Sequence, residues 1–365
     1  MSVSVIWQAS SKSLSIRRQD LEIIRKRSPG ILLAFIIAAI AWQLGKWAPI
    51  VGSPVFGILI GMIIATWQRP KYFDAGINYT SKKLLKLAII LIGFNMNLVH
   101  VLAVGRQTLV LMFFTLSATF LTAYLAGRWL KIERNANILI GVGTAICGGS
   151  AIAATAPVID ADDSEVASAI STIFLFNVIA AFAFPAMGHF FGMTDHFFGL
   201  WAGTAINDTS SVVAAGYAYS STAGDLAVIV KLTRTLMIIP VTLVLAIYQS
   251  KKDAASHKIS VKGIETEMHS GSYHLVSIFP WFVLGFLAAA FLNTVVEPMW
   301  EGWIPAAHQL AVLGKFMIVM AMAAIGLNTH LGKLVRNGIR PLILGFTTWV
   351  VLAVVSILVQ VTLQF

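Results

Sequence analysis

Apolar residues run along this chain in stretches of about 20, separated by short connectors that contain charged residues, proline or glycine. A helix that crosses a ~30 Å hydrocarbon core needs about 20 predominantly apolar residues, so each stretch predicts a transmembrane helix. Eleven spans are predicted, at residues 31–47, 53–67, 84–104, 107–129, 137–159, 166–191, 196–219, 224–249, 275–296, 305–328 and 340–363. The predicted fold is an all-α membrane protein with one transmembrane domain. That domain covers residues 30–365, contains a cytoplasmic connector at 250–274, and follows a basic cytoplasmic segment at 1–29.

The composition supports a membrane protein and excludes several other classes. The chain is 58% hydrophobic and 12% charged, whereas soluble proteins carry roughly a quarter charged residues. A soluble enzyme, a nucleic-acid binder and a secreted disulfide scaffold are therefore not expected. Cys147 is the single cysteine, which excludes an intramolecular disulfide and a multi-thiolate metal site.

Basic residues lie on alternate connectors, as expected when short cytoplasmic loops hold Lys and Arg. Outside the N-terminal segment they concentrate at 69–83, 128–134, 251–262 and 333–340. This distribution explains the net charge of +10 without a nucleic-acid ligand. It predicts an N-terminus on the cytoplasmic side of the membrane and a C-terminus on the outside, with the acidic connector 160–165 outside.

Two short sequences recur in the chain. IGFNMNL at 92–98 resembles IGLNTHL at 325–331, and the predicted spans that carry them run in opposite directions. Such inverted repeats are the building plan of many secondary transporters. GTAI at 143–146 returns at 203–206, but in predicted spans that run parallel. Two explanations stay open: similar chemistry at two facing sites, or a re-entrant segment that changes the span count.

The fifth span contains four glycines and three small polar side chains between residues 141 and 150. Non-helical backbone at membrane depth is tolerated only where it faces protein or a water-filled cavity. An interrupted helix explains the composition, and its half-helix N-terminus offers N–H donors and a positive dipole to an anion. The alternative is close helix packing through small residues. The candidate substrate-binding residues here are Thr144, Cys147, Gly148, Gly149 and Ser150.

The seventh span carries five consecutive polar residues at 207–211, about ten residues from its start. A carboxylate at that depth is costly unless it meets a partner or water. We therefore predict that Asp208 couples an ion to transport, with a structural ion pair as the alternative. Asn207, Thr209 and Ser210 are the remaining candidates for contact with the substrate. Asn177 and Asn328 are the remaining candidates for coupling an ion.

Lys231 and Arg234 lie in the eighth span, three residues apart, so both cations face the same direction on a helix. Arg234 lies too deep to reach the membrane surface without help. A cationic pair near a carboxylate suits an oxyanion, because Arg presents a planar fork to two oxygens. We predict that both side chains offset the charge of an anionic substrate.

Four blocks of sequence stand out together: GTAICGGSAIAATAPVI (143–159), GLWAGTAINDTSSVVAAGYA (199–218), VIVKLTRTLMIIPV (228–241) and KFMIVMAMAAIGLNTHL (315–331). Together they resemble the YeiH-like family of bacterial inner-membrane proteins, described as sulfate exporters and grouped with cation:proton antiporters and bile-acid:sodium symporters. The resemblance covers most of residues 30–363. It implies inverted repeats, a panel and a core domain, and two discontinuous helices that cross at mid-membrane. One interruption would fall at Gly143 to Ser150 and its partner at Met322 to Asn328.

These observations favour a secondary transporter of a small, anionic solute, coupled to a proton or sodium ion. Walker, zinc-protease and nucleophile-elbow motifs are missing from the sequence, so no enzyme activity, cofactor or metal is expected. The expected partners are the solute, the coupling ion and membrane lipid. Three alternatives stay open: a cation:proton antiporter, a channel, and a non-transporting membrane sensor. The sequence also leaves open whether the protein is a homo-oligomer.

Overall fold

The computed structural model describes residues 3–48, 51–67, 70–257, 280–300, 302–329 and 338–364. Within these ranges the chain forms helices and turns without a strand. The helices are α1 (Val3–Trp47), α2 (Ser53–Ala65), α3 (Asp74–Tyr79), α4 (Leu85–Gly93), α5 (Leu98–Trp129), α6 (Arg134–Ala145), α7 (Gly149–Thr155), α8 (Asp163–Phe190), α9 (Asp195–Ala205), α10 (Thr209–Tyr219), α11 (Ser221–Thr235), α12 (Ile238–His257), α13 (Trp281–Val296), α14 (Trp303–Asn328) and α15 (Ile339–Leu363).

The prediction of a multi-pass, all-α membrane protein is confirmed. Six helical segments of the described chain are long and apolar enough to cross a membrane: Arg25–Trp47 of α1, α5, α8, Ser221–Gln249 of α11 and α12, α14 and α15. Three shorter apolar helices, α2, Gly149–Val158 and α13, accompany them. The π-helical segment Thr80–Leu84 joins α3 to α4. The helical segment of the predicted third span therefore begins at Asp74, well before the predicted start at residue 84.

The predicted boundary between the third and fourth spans is wrong. It was expected at Arg106, but α5 is continuous from Leu98 to Trp129, and Arg106 lies exposed on its surface. The chain turns at residues 94–97 instead. Asn97 caps α5 there, because its Oδ1 accepts hydrogen bonds from the backbone N–H groups of Val99 (2.8 Å) and His100 (3.4 Å).

Neither predicted cytoplasmic segment coincides with a break in the described helices. α1 continues through residue 29 without interruption, although Pro29 lies inside it. α12 is helical as far as His257, and the rest of the predicted connector, from 258 to 274, lies outside the described residues.

α6 and α7 are the two arms of a hairpin, which we call the first hairpin (residues 134–158). Asn135 at the start of α6 donates to Glu165 at the start of α8 (3.4 Å). Leu139 and Ile159 belong to one buried cluster, although a straight helix would separate them by about 30 Å. Both open ends of this segment therefore lie together, and residues 146–148 form its tip.

α9 and α10 form the second hairpin (residues 195–219). The rings of Phe198 and Tyr219 stack with centroids 3.9 Å apart, where a straight helix would separate these residues by about 30 Å. The Tyr219 hydroxyl also donates to the Met193 carbonyl, and its ring stacks on His189. The end of α10 thus lies beside the start of α9, and residues 206–208 form the tip.

α8 fixes the relative direction of the two hairpins. It starts at the open end of the first hairpin and ends at the open end of the second; its 28 residues extend about 42 Å. The hairpins therefore point toward each other from opposite ends of α8. The acidic connector 160–165 lies at the same end as Asn135 and not, as predicted, at the opposite end. Two apolar arms in succession have the length and hydropathy of one span. For this reason each hairpin was predicted as a single transmembrane helix.

The second interruption lies elsewhere than the resemblance implied. α14 is one continuous helix from Trp303 to Asn328, so the predicted break at Met322 to Asn328 is wrong. The chain is interrupted instead at residues 206–208, directly after the second copy of GTAI. Both copies end an inward-pointing arm, α6 or α9, in agreement with the re-entrant explanation that the sequence left open.

The helices pack in two groups. α1 to α4, α13 and α14 contact one another, while α5, α8, α11, α12 and α15 surround the two hairpins. The groups meet where α10 contacts α2 and α14, and where α5 contacts α13. The hairpin tips therefore lie inside the second group, alongside α8, α11 and α15.

Candidate functional site

Lys231 joins the tips of the two hairpins. Its Nζ donates to the carbonyl oxygens of Ile146 and Ile206, each at 2.9 Å, and the side chain is fully buried. These carbonyls belong to the same position of the two GTAI sequences. Each follows the last residue of a helix, where the helix dipole is negative, so the ammonium is stabilised by both helix ends.

Arg234 holds the first tip from the same helix, α11. Its Nε donates to the Ala145 carbonyl at 2.6 Å and its Nη2 to the Thr144 carbonyl at 2.9 Å. The side chain is fully buried, and Nη1 has no hydrogen-bond partner among the described residues. Lys231 and Arg234 were predicted to face substrate. Each instead donates two hydrogen bonds to backbone carbonyls, and the Arg234 Nη1 remains to bind a further group.

The threonines of the two GTAI sequences both contact α15. The Thr144 Oγ1 lies 3.4 Å from the Thr348 Oγ1, and the Thr204 Oγ1 lies 2.5 Å from the Ser356 Oγ. Sequence reasoning missed three of these four residues. Two signals could have found them: the repetition of GTAI, and the spacing of eight that places Thr348 and Ser356 on one face of a helix.

Asp208 caps α10 at the second tip. Its Oδ2 accepts hydrogen bonds from the Ser210 N–H (3.0 Å) and from the Ser210 hydroxyl. Its backbone N–H donates to the Asn177 Oδ1 at 3.2 Å. Asn177, almost fully buried on α8, therefore holds the tip in place. The carboxylate also interacts electrostatically with the Lys231 ammonium.

Gly148 brings the two tips into contact. Its backbone has φ +67° and ψ −130°, a conformation that side-chain-bearing residues rarely adopt. A Cβ built on it would lie 3.6 Å from the Asp208 Cβ and 3.5 Å from the Asn177 Nδ2. The structure thus brings Gly148, Asp208 and Asn177 together. All three had been selected from the sequence, but with Gly148 assigned to the substrate and the other two to the coupling ion.

Asn207 is the one residue of the second tip that is fully buried with neither amide atom paired in the described part of the chain. An unmet buried hydrogen-bonding group costs about 1–3 kcal/mol, so a native protein retains one for a reason. A bound solute, ion or water would satisfy both atoms. Asn207 and Arg234 therefore each present unused hydrogen-bonding capacity at the tips.

Comparison with known proteins places the sequence in a family. The model of a family described as "Conserved hypothetical protein 698" matches residues 29–345. The chain belongs to this family. Its members include proteins named UPF0324 membrane protein: one from Streptococcus agalactiae serotype V is 45% identical over 347 residues, which cover 93% of this chain and 99% of the relative. One from Fusobacterium nucleatum is 46% identical over 348 residues, which cover 91% and 96%.

In this member of the UPF0324 family, the starts of α7 and α10 are the accessible part of the site. Ser150 is exposed, and Gly149, Asp208 and Thr209 are half-buried. A Cβ added to Gly149 meets no described atom within 4 Å. Cys147, by contrast, is the residue of the first tip whose side chain is buried in an apolar cluster, away from solvent.

Asn328 is the predicted site residue that the structure does not bring to the tips. It ends α14, where its Nδ2 donates to the Asn78 Oδ1 on α3 at 3.1 Å. Both residues belong to the group of helices that does not contain the hairpins. Among the described residues of this UPF0324 protein, no cluster of three or more His, Cys, Asp or Glu side chains could hold a metal ion.

Proposed function

We propose that this protein is a secondary active transporter that moves a small anion across the bacterial inner membrane by alternating access. One observation carries the proposal: two hairpin tips meet at the buried cations Lys231 and Arg234. The Asn207 amide and the Arg234 Nη1 there have no hydrogen-bond partner among the described residues. Interrupted helices that meet at membrane depth are typical of solute sites in secondary transporters.

The helix order favours nine membrane crossings and two re-entrant hairpins. The crossings are α1, α2, α3 with α4, α5, α8, α11 with α12, α13, α14 and α15. An odd number keeps the N-terminus inside and the C-terminus outside. Basic connectors then fall on the cytoplasmic side, and the first hairpin enters from there and the second from outside. The two helix groups correspond to a panel and a core, and the GTAI copies to an inverted pair.

The site chemistry favours a compact oxyanion such as sulfate or a sulfonate. The Arg234 Nη1 and the Asn207 amide supply donors, and the start of α7 adds a positive helix end. The similarity to YeiH-like proteins, described as sulfate exporters, supports the same solute class. Gly148, Gly149, Ser150, Thr209 and Ser210 would complete the contacts.

Asp208 is the residue that would couple the solute to an ion gradient. It is the carboxylate of the tips, it is half-buried, and it interacts with Lys231. Taking up a proton or a sodium ion would change the charge beside the solute and so change its affinity. Asn177 positions the Asp208 backbone for this role.

The test is flux through the purified protein in proteoliposomes, after a thermal-shift screen of anions has selected the solute. We expect uptake to rise with an imposed proton or sodium gradient. Asp208→Asn should lose gradient-driven uptake and keep solute exchange at zero gradient. Equal gradient-driven uptake by Asp208→Asn and the wild type would contradict the assignment of the coupling residue.

A cation:proton antiporter is the second candidate, because the half-buried Asp208, beside a buried lysine, could carry a cation instead. In that case flux would follow sodium or potassium and be independent of every anion. Uncoupled conductance would indicate a channel, and anion binding without flux would indicate a sensor. Each of these three results would reject the anion transporter.

A further inference from the structure

The Lys231 ammonium lies where a free cation would otherwise be expected. Its two acceptors, the Ile146 and Ile206 carbonyls, come from different hairpins and follow the C-terminal ends of α6 and α9. The Asp208 carboxylate adds negative charge nearby. Oxygen atoms of carbonyls and carboxylates are the ligands that hard cations prefer.

We propose that the hairpin tips form a monovalent-cation site that Lys231 permanently fills, and that removing its side chain opens this site to a small cation. The ligand of the vacated site would be an alkali-metal ion or a primary ammonium ion. This inference concerns the tips alone and does not depend on which solute the protein moves, or on whether it moves one.

The electrostatics of the tips require a positive charge at this place. Without one, two helix ends of negative dipole and two carbonyl oxygens would face each other in a fully buried region. Arg234 donates only to the first hairpin, through Nε and Nη2 to the Ala145 and Thr144 carbonyls, so the Ile206 carbonyl of the second hairpin loses its cation when Lys231 is removed. The lysine stem reaches the tips from α11, which packs along both arms of the second hairpin, α9 and α10. Its loss would leave a space with the Ile146 and Ile206 carbonyl oxygens at its far end.

Two substitutions of Lys231 distinguish the loss of its charge from the loss of its volume. Lys231→Ala removes both charge and volume, so a cation can enter. Lys231→Met removes the charge but fills most of the volume, so a cation is kept out. Lys86→Ala is the matched control, because Lys86 is an exposed lysine on α4, in the helix group without the hairpins.

The experiment measures the thermal unfolding midpoints of the wild type and the three variants as full-length proteins in detergent. Tryptophan fluorescence reports the unfolding. Choline chloride is replaced, at constant ionic strength, by lithium, sodium, potassium, ammonium or methylammonium chloride. We expect Lys231→Ala to gain at least about 3 °C in one or more small cations, the shift for a ligand well above its Kd. The wild type, Lys231→Met and Lys86→Ala should change by less than about 1 °C under the same linkage argument.

Two results would overturn the proposal. One is a folded Lys231→Ala whose midpoint is the same in choline and in all five cations. The other is a cation-dependent gain shared equally by the wild type. If Lys231→Ala does not survive extraction in choline, its monodisperse yield across the same salts replaces the midpoint. Recovery in a small cation supports the proposal, and equal loss in every salt contradicts it.

Discussion

Replacing Arg234 by methionine tests whether this residue holds the first hairpin tip. Methionine keeps an apolar stem of similar length but loses the donors to the Ala145 and Thr144 carbonyls. Both carbonyls would then remain buried without these partners. Lys at the same position retains a charge but can align with only part of this acceptor pair.

The size of the effect follows from the two lost bonds. A hydrogen bond to a charged group contributes about 1.5–3 kcal/mol, so two contribute about 3–6 kcal/mol. A whole domain is stabilised by only about 5–15 kcal/mol. We therefore expect Arg234→Met to lower the unfolding midpoint by at least about 5 °C, with Arg234→Lys between it and the wild type.

The assay is thermal unfolding in detergent, for which the ten tryptophans provide the signal. Arg106→Met is the matched control, because Arg106 is exposed on α5 and its loss should cost no more than about 0.5 kcal/mol. An Arg234→Met protein that unfolds at the wild-type temperature would refute the capping role of the guanidinium.

Two further predictions concern the tips. Asn207→Leu removes an unpaired buried amide, so the unfolding midpoint should stay or rise while solute affinity falls about tenfold or more; unchanged affinity would rule out contact with the solute. Gly148→Ala should cost about 1–3 kcal/mol because of its positive φ, whereas Gly149→Ala, which faces open space, should not; equal midpoints for the two variants would contradict the backbone conformation described for Gly148.

Local composition predicted the first interruption, at 141–150, and selected the polar run at 207–211 as unusual, although not as an interruption. Glycines at 141–149 and the polar run at 207–211 are unfavourable inside a membrane helix, and both lie at or beside an interruption. The sequence also predicted Asp208, Lys231 and Arg234 as residues of one region, because charges at that depth require partners. In the structure Lys231 and Arg234 donate to the hairpin tips, the second of which contains Asp208.

The path of the chain after each interruption could not be predicted in the same way. An arm of about 12 apolar residues followed by another matches the hydropathy of one span, whether the second arm continues or turns back. Only contacts distant in sequence, such as Asn135 with Glu165 and Phe198 with Tyr219, distinguish the two. The same limit explains why Lys231 was assigned to substrate, since its carbonyl partners come from two separate hairpins.

Cysteine accessibility tests the opposed hairpins most directly. Single cysteines are placed at three exposed positions, Glu133, Ser164 and Phe191, in a Cys147→Ser background, and labelled with an impermeant thiol reagent in oriented vesicles. We predict that positions 133 and 164 react from one side of the membrane and position 191 from the other. Labelling of 133 and 191 from one side, with 164 on the opposite side, would mean straight crossing spans and would contradict the hairpins.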